Sequence, residues 1–232
     1  MTQPAAASPA AVIVFPGSNG ERDLFEALSL AGFAPRYHPA RAELPDDVGL
    51  VGLPGGFSYG DYWRAGMLAS RAPAVRSLAG FIARGGLTIG ICNGFQILVE
   101  AGYLPGALTY NRPPRFVHRF IDVAVTAAAK QCGSPWFTTL TEGARLRLPI
   151  AHAEGCYDHP GGSAAIADRV PLVYTDNPNG SLGDAAAVLD ASGRVLGVMP
   201  HPERASEAVL GSQDGLLLFQ AARLFLATKE AA

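Results

Sequence analysis

The stretch that decides the fold is Leu87-Thr88-Ile89-Gly90-Ile91-Cys92-Asn93-Gly94-Phe95-Gln96. Its first five residues form a short apolar run, which is typical of a buried central strand. A helix is predicted to follow at once, over Gly94 to Ala101, with Gly102 as its natural end. A strand that turns this sharply into a helix favours a parallel sheet covered by helices on both faces.

The sequence before this stretch repeats the alternation of strand and helix. Strands are predicted at Ala11–Phe15, Ala34–His38 and Val48–Leu53, and helices at Glu21–Ala31 and Pro73–Arg84. We therefore expect an α/β domain that spans residues 11–228, with an open, mostly parallel sheet. Residues 1–10, which are rich in Ala, Ser and Pro, are expected to form a flexible tail.

After Phe116 the pattern changes to longer strands and a hairpin, which predicts an antiparallel excursion of the sheet. The predicted strands are Arg115–Ala124, Arg145–Ala151, Ala185–Leu189 and Arg194–Met199, the last two joined by a Ser192-Gly193 turn. An amphipathic helix over Asp214–Thr228 is expected to close the chain. Its predicted inner face consists of Leu217, Leu218, Ala221, Leu224 and Phe225.

Composition excludes several classes of protein. The chain has 232 residues, and 18 Lys and Arg against 20 Asp and Glu give a net charge of −2, so a nucleic-acid partner is not expected. The first basic residue is Arg22, so the charged start of a secretory signal is missing, and no run of ~20 apolar residues could span a membrane. Three Cys without a Cys-x-x-Cys pair fit a reducing compartment, and we expect a cytoplasmic protein.

Cys92 lies where the central strand meets the helix, flanked at two residues on either side by Gly90 and Gly94. This is the pattern of a nucleophile elbow with Cys in place of Ser, in which the glycines permit a sharp turn. The positive end of the helix favours the thiolate, which is the reactive form. Gln96, one helical turn later, is expected to face the same cavity. The alternative is a buried structural Cys with incidental glycines.

The candidate base is His201, in the segment Met199-Pro200-His201-Pro202-Glu203-Arg204. The two prolines disfavour a helix, and residues two apart in an extended segment point the same way. Glu203 could therefore orient the imidazole for acid–base work on Cys92. The alternative is a surface turn that carries a solvated His and Glu.

Leu53-Pro54-Gly55-Gly56-Phe57-Ser58-Tyr59-Gly60-Asp61 follows another predicted parallel strand, where ligand sites of open α/β sheets gather. The N–H groups of Gly56 and Asn93 could together receive an oxyanion, although a simple turn explains the glycines equally well. Neither phosphate-binding nor metal-binding spacing occurs, and no metal is expected. The local sequence favours structural or partner-facing roles for His152 and Glu154, because no metal-ligand spacing involves them. Cys132 and Cys156 lack an elbow and are expected to be bystanders.

With the Gly-Gly loop, the Cys elbow and His-Pro-Glu in this order, the sequence resembles the triad-type glutamine amidotransferase family. Two strings, Phe57-Ser58-Tyr59-Gly60-Asp61 and Cys92-Asn93-Gly94-Phe95-Gln96, are similar to those of glutaminase subunits from a ligase of purine biosynthesis. The resemblance implies a flavodoxin-like sheet and a catalytic triad of Cys92, His201 and Glu203. It further implies Gly56 and Asn93 as oxyanion donors and Gln96 as a substrate-binding residue.

The resemblance also implies partners. Ammonia released from glutamine would pass to a large synthetase subunit, which would carry the ATP and magnesium, and a small third subunit would complete the complex. No cofactor is expected on this chain. The sequence departs from the family pattern at Gly20, where Cys is expected, at Ala153, where Gly is usual, and over Gly183-Asp184-Ala185-Ala186.

Two other classes remain open at this point. A Cys–His hydrolase of another kind, peptidase-like or concerned with stress response, could use the same sheet without needing Gln96 or the His201-Pro202-Glu203 motif. A non-catalytic regulatory module could use the elbow only to bind a ligand. The joint presence of Cys92, His201 and Glu203 counts against that module, because binding alone needs neither a nucleophile nor a base.

Overall fold

The structure, a computed structural model, describes residues 7–230. Its helices are α1 (Glu21–Leu30), α2 (Pro73–Ala83), α3 (Asn93–Glu100), α4 (Ala128–Gln131) and α5 (Leu216–Glu230). Its strands are β1 (Ser8–Val14), β2 (Phe33–Pro39), β3 (Leu50–Leu53), β4 (Leu87–Ile91), β5 (Ala107–Thr109), β6 (Val117–Val125), β7 (Arg145–His152), β8 (Cys156–Asp158), β9 (Leu172–Tyr174), β10 (Ala185–Leu189) and β11 (Val195–Val198).

One nine-stranded sheet, in the order β2-β1-β3-β4-β11-β10-β9-β6-β7, organises the described chain. The strands from β2 to β11 in that order run parallel, and β10, β9, β6 and β7 pair antiparallel. The predicted α/β class with an antiparallel excursion is therefore confirmed. Strand β4 lies inside the sheet between β3 and β11, and it has the predicted bounds, because an apolar run between Gly86 and a tight turn leaves little choice of ends.

The first strand begins at Ser8, three residues before its predicted start, so residues 8–10 of the expected tail belong to the sheet. Ser8, Pro9 and Ala10 pair with β2, and this pairing outweighs a composition typical of a loose end. The remaining tail residues, 1–6, lie outside the described residues.

The inner face of the last helix is also placed differently. Leu218 and Ala221 are fully buried as predicted, but Leu224 is 53% exposed. Phe219, Ala222 and Leu226 are buried instead, because α5 packs on the sheet through a face rotated from the predicted one. Within residues 7–230, no helix is long and apolar enough to cross a membrane.

Candidate active site

Cys92 forms the junction between β4 and α3, and its backbone is strained. Its φ of 51° and ψ of −103° lie in a region that residues with a side chain rarely adopt. Its N–H donates to the Val198 carbonyl of β11 at 2.8 Å, which holds the junction against the neighbouring strand. This is the predicted elbow, and it aims the thiol out of the carboxyl edge of the sheet.

The glycines around Cys92 are required by packing. A Cβ on Gly90 would lie 2.5 Å from the Gly94 carbonyl oxygen, and a Cβ on Gly94 would overlap with the Leu53 carbonyl oxygen. Both substituents would press on backbone atoms, which cannot move aside as a side chain can. The two glycines therefore allow α3 to start directly above β3 and β4, and they are not incidental.

His201 and Glu203 lie just beyond β11, next to the elbow. The His201 N–H donates to the Pro149 carbonyl at 2.8 Å, which ties the segment to β7. The imidazole Nδ1 and a Glu203 carboxylate oxygen are 2.6 Å apart, and both side chains are buried. The predicted orientation of His201 by Glu203 is therefore present in the structure.

Gly55 lies against both His201 and Cys92. A Cβ on this residue would lie 2.8 Å from His201 Cε1 and 3.6 Å from Cys92 Cβ. The Gly-Gly loop therefore borders both residues, and a side chain at position 55 would press on the imidazole. Residues 109 positions apart in the sequence meet here.

Two opposing effects act on the pKa of His201. Burial would lower this pKa, but the Glu203 carboxylate and Cys92 together raise it to about 10. At neutral pH the imidazole is therefore protonated, with Nδ1 donating to Glu203. Nε2 has no hydrogen-bond partner in the described part of the chain, so its proton is available to a molecule in the adjacent cleft.

The predicted oxyanion donors lie at the same cleft. Gly56 pairs with Ser18 in a β-bridge whose hydrogen bonds are made by neighbouring residues, so its own N–H makes none within residues 7–230. Its φ of 136° is one that glycine tolerates, and a Cβ there would lie 2.6 Å from the Asn19 nitrogen. The Asn93 N–H is the first of α3 and has no acceptor within the helix.

The Asn93 side chain ties the elbow to the loop after β3. Its Oδ1 accepts from the Ser58 N–H at 3.1 Å, and its Nδ2 donates to Asp61 at 3.1 Å and to Gln96 Oε1 at 2.9 Å. Gln96 in turn donates to the Glu154 carbonyl at 2.7 Å. The predicted substrate-binding residue Gln96 therefore lines the cleft with its amide already occupied, and it holds the walls of the cleft together.

A cleft of about 250 Å³ joins these groups. Its lining includes Asn19, Gly56, Phe57, Asp61, Ala65, Cys92, Gln96, Phe116, Ala151, His152, Ala153, Glu154, His201 and Arg204. Burial and the nearby charge of Glu154 raise the pKa of Asp61 to about 6. The cleft thus combines a buried thiol and imidazole with two carboxylates.

Three residues that line the cleft were not predicted to belong to the site. His152 and Glu154, for which structural or partner-facing roles were expected, line the cleft, and so does Asp61. A His and a Glu two apart at a strand end was the available signal, the same one that identified His201 and Glu203. Cys132 and Cys156 are absent from the lining of the cleft.

Comparisons with known proteins agree with this geometry. Residues 7–226 match the family model of the CobB/CobQ-like glutamine amidotransferase domain. The chain is 47% identical to the phosphoribosylformylglycinamidine synthase subunit PurQ of Cereibacter sphaeroides, over 91% of this chain and 96% of that protein. It is 46% identical to the subunit PurQ of Synechococcus elongatus, over 90% and 94%.

A solved structure extends the comparison to three dimensions. A chain in the structure of PurLQS from Thermotoga maritima superposes with a TM-score of 0.86 at 41% identity. The match covers 95% of this chain and 99% of that one. The chain belongs to the glutamine amidotransferase family, within the PurQ subunits of phosphoribosylformylglycinamidine synthase.

Proposed function

We propose that Cys92, His201 and Glu203 form the triad with which this glutaminase subunit hydrolyses glutamine to glutamate and ammonia. The observation that carries the proposal is the position of His201, hydrogen-bonded to Glu203 on one side and facing the strained elbow of Cys92 on the other. A nucleophile, a base and a group that orients the base are the parts that acyl transfer requires.

In the first step, the Cys92 thiolate attacks the side-chain carboxamide carbon of glutamine. Cys92 lies beside the imidazolium of His201 and at the N-terminal end of α3. The carbonyl oxygen takes up negative charge as the tetrahedral intermediate forms, and the N–H groups of Gly56 and Asn93 are the proposed donors to it.

In the second step, the protonated Nε2 of His201 donates its proton to the departing nitrogen, which leaves as ammonia. A glutamyl thioester then remains on Cys92. The imidazole, now neutral, takes a proton from water, whose oxygen attacks the thioester and releases glutamate. Glu203 keeps Nδ1 protonated throughout, so Nε2 is the nitrogen that exchanges the proton.

The rest of the cleft suits the amino-acid end of the substrate. Glutamine carries an α-ammonium group, which needs counter-ions when it is withdrawn from water. Asp61 and Glu154 are the carboxylates that line the cleft apart from the triad, and Asn93 and Gln96 fix their loops. We assign α-ammonium binding to Asp61 and Glu154, and to Gln96 the role of holding this side of the pocket.

The ammonia has a destination outside this chain. We propose that it passes to a large synthetase subunit, which binds the ATP and magnesium, and that a small third subunit completes the complex in the cytoplasm. Phe57 lines the cleft, Tyr62 and Trp63 follow the cleft residue Asp61 in the chain, and all three are more than half exposed, which supports a docking surface in this loop. The large synthetase subunit would convert formylglycinamide ribonucleotide to the amidine.

Covalent labelling tests the assignment of the nucleophile. A glutamine analogue that carries an electrophilic diazoketone in place of the carboxamide should alkylate Cys92, and peptide mass spectrometry should find Cys132 and Cys156 unmodified. Glutamine in excess should protect Cys92. Labelling of Cys132 or Cys156 instead, or labelling that glutamine does not slow, would overturn the assignment.

A further inference from the structure

His152 is a buried histidine that the proposed mechanism does not use. It ends β7, it is 3% exposed, and it lines the same cleft as Cys92. The carbonyl of the preceding Ala151 lies 3.8 Å from the Cys92 sulfur, so the end of β7 borders the reacting centre.

The hydrogen bonds of Asn111 determine which nitrogen of His152 carries the proton. Nδ2 of Asn111 donates to the carbonyls of His152 and Arg115, both at 2.9 Å. Oδ1 of Asn111 must then be the oxygen, and it accepts from the Gly155 N–H at 3.0 Å. His152 Nδ1 lies 3.0 Å from this same oxygen, so Nδ1 must be the donor.

The other ring nitrogen, Nε2, is therefore an acceptor with a free lone pair. It is buried and has no partner among the residues that the structure describes. Burial and the charge of His201 lower the pKa of His152 to about 4, so the ring stays neutral at physiological pH. A buried acceptor without a hydrogen-bond donor costs free energy. A cleft lined by such an atom is therefore suited to a ligand that donates a hydrogen bond.

The substrate has two groups that can donate to this atom, the carboxamide N–H and the α-ammonium. The α-ammonium carries a full charge and is better matched by Asp61 and Glu154. His152 follows Ala151, whose carbonyl lies 3.8 Å from the Cys92 sulfur, and it lines the same cleft as His201, which places it towards the end where ammonia departs.

We propose that Nε2 of His152 accepts a hydrogen bond from the carboxamide N–H of glutamine. The inference rests on the proposed role of Cys92. A neutral acceptor attracts the amide nitrogen and repels the carbonyl oxygen, so it turns the oxygen towards Gly56 and Asn93 and the nitrogen towards His201. It also distinguishes glutamine from glutamate, because an ionised carboxylate has no N–H to offer.

Two matched variants separate this role from a structural one. In His152→Asn the shorter amide can keep the hydrogen bond to Asn111 but removes the acceptor at Nε2. In His152→Gln the longer amide places an oxygen near the position of Nε2 but gives up the donor to Asn111. If Nε2 of His152 binds the substrate, His152→Gln should be more active than His152→Asn. If His152 has only a structural role, His152→Asn should be the more active variant.

The assay uses the reconstituted synthase and measures kcat/KM with glutamine and with 5-amino-5-oxopentanoate, which has the carboxamide but no α-amino group. His152→Asn should lose about 10-fold or more on both substrates, and His152→Gln should stay within a few-fold of the unmodified protein. A His152→Gln variant that falls as far as His152→Asn would overturn the proposal. A loss by His152→Asn that vanishes with the analogue would also overturn it, since the α-ammonium would then be the donor.

A second measurement does not depend on how the His152 variants fold. In the complex carrying Cys92→Ala, which should bind glutamine without turnover, nitrogen NMR of labelled histidine reports the unprotonated Nε2 of His152. Its resonance should move upfield when glutamine is added and stay unchanged with glutamate. No movement with glutamine would contradict the inference, whereas a Cys92→Ala complex that still hydrolyses glutamine would instead contradict the proposed role of Cys92.

Discussion

Nδ1 of His201 and a carboxylate oxygen of Glu203 are 2.6 Å apart, in a pair from which water is almost fully excluded. The pair explains how a fully buried imidazole can hold a proton. Without the carboxylate, only Cys92 would oppose the effect of burial, and the pKa of His201 would fall. The protonation of His201 is therefore a property of Glu203 as much as of the histidine.

Replacement of Glu203 by Gln should lower the rate of glutamine hydrolysis by about 10² to 10⁴-fold, because His201 loses the charge that keeps it protonated. The falling, alkaline limb of the kcat/KM profile against pH should move towards neutrality. Glu207→Gln, a change of the same type at an exposed site, is the control and should leave the profile in place. An unshifted alkaline limb in Glu203→Gln would refute the coupling.

Neutralising Glu154 should change the titration of Asp61. Burial, together with the charge of Glu154, raises the pKa of Asp61 to about 6, so Glu154→Gln should lower that pKa part of the way. If the ionised Asp61 binds the α-ammonium, KM for glutamine should fall as pH rises through 6, and this inflection should move to lower pH in Glu154→Gln. Glu142→Gln, at an exposed position, serves as the comparison. An inflection of KM at the same pH in Glu154→Gln and in the unmodified protein would argue against the coupling of Asp61 and Glu154.

His152 should make the fold sensitive to acid. Its pKa is lowered from 6.5 to about 4, so between these values the unfolded chain binds a proton that the folded chain refuses. Stability is retained above pH 6.5 and is lost as pH falls through 4, by roughly 3 kcal/mol in the free energy of unfolding. Urea unfolding at pH 7 and pH 4 should show a smaller difference for His152→Asn, and an equal difference in both proteins would count against the burial of a neutral ring.

The same substitution should have opposite effects at two helical glycines. Gly94→Ala places a Cβ against the backbone of Leu53 and should destabilise the fold by about 1–3 kcal/mol or more. Gly80→Ala, at an exposed interior position of α2, meets only the end of the Arg84 side chain at 3.4 Å. It should stabilise by roughly 0.5–1 kcal/mol. Urea unfolding measures both, and a tolerated Gly94→Ala would disprove the packing account of the elbow.

The sequence was most informative where a functional feature is formed by residues that are close together in the chain. Strand β4 and the elbow at Cys92 are local features, set by an apolar run and two glycines, and the His201 and Glu203 pair is two residues apart. Their convergence across the sheet could be expected only from the resemblance to a family. In the structure Cys92 and His201 both pack against Gly55, whose lack of a side chain leaves room for the imidazole.

Other features could not be read from local sequence. Asn111 fixes the tautomer of His152, yet it is 41 residues away, and an Asn in a loop more often serves a turn. The strands β5, β8 and β9 have three residues each, too few for a pattern to form. The exposure of Leu224 depends on which face of α5 meets the sheet, and several apolar faces were available.

The most direct test of the central claim is the activity of the synthase reconstituted with Cys92→Ala. Amidine formation should be measured with glutamine and, separately, with ammonium as the nitrogen source, and Cys132→Ala should be the control. The account predicts that Cys92→Ala loses the glutamine-dependent reaction and keeps the ammonia-dependent one, with Cys132→Ala retaining both. Glutamine-dependent amidine formation that survives in Cys92→Ala would contradict it.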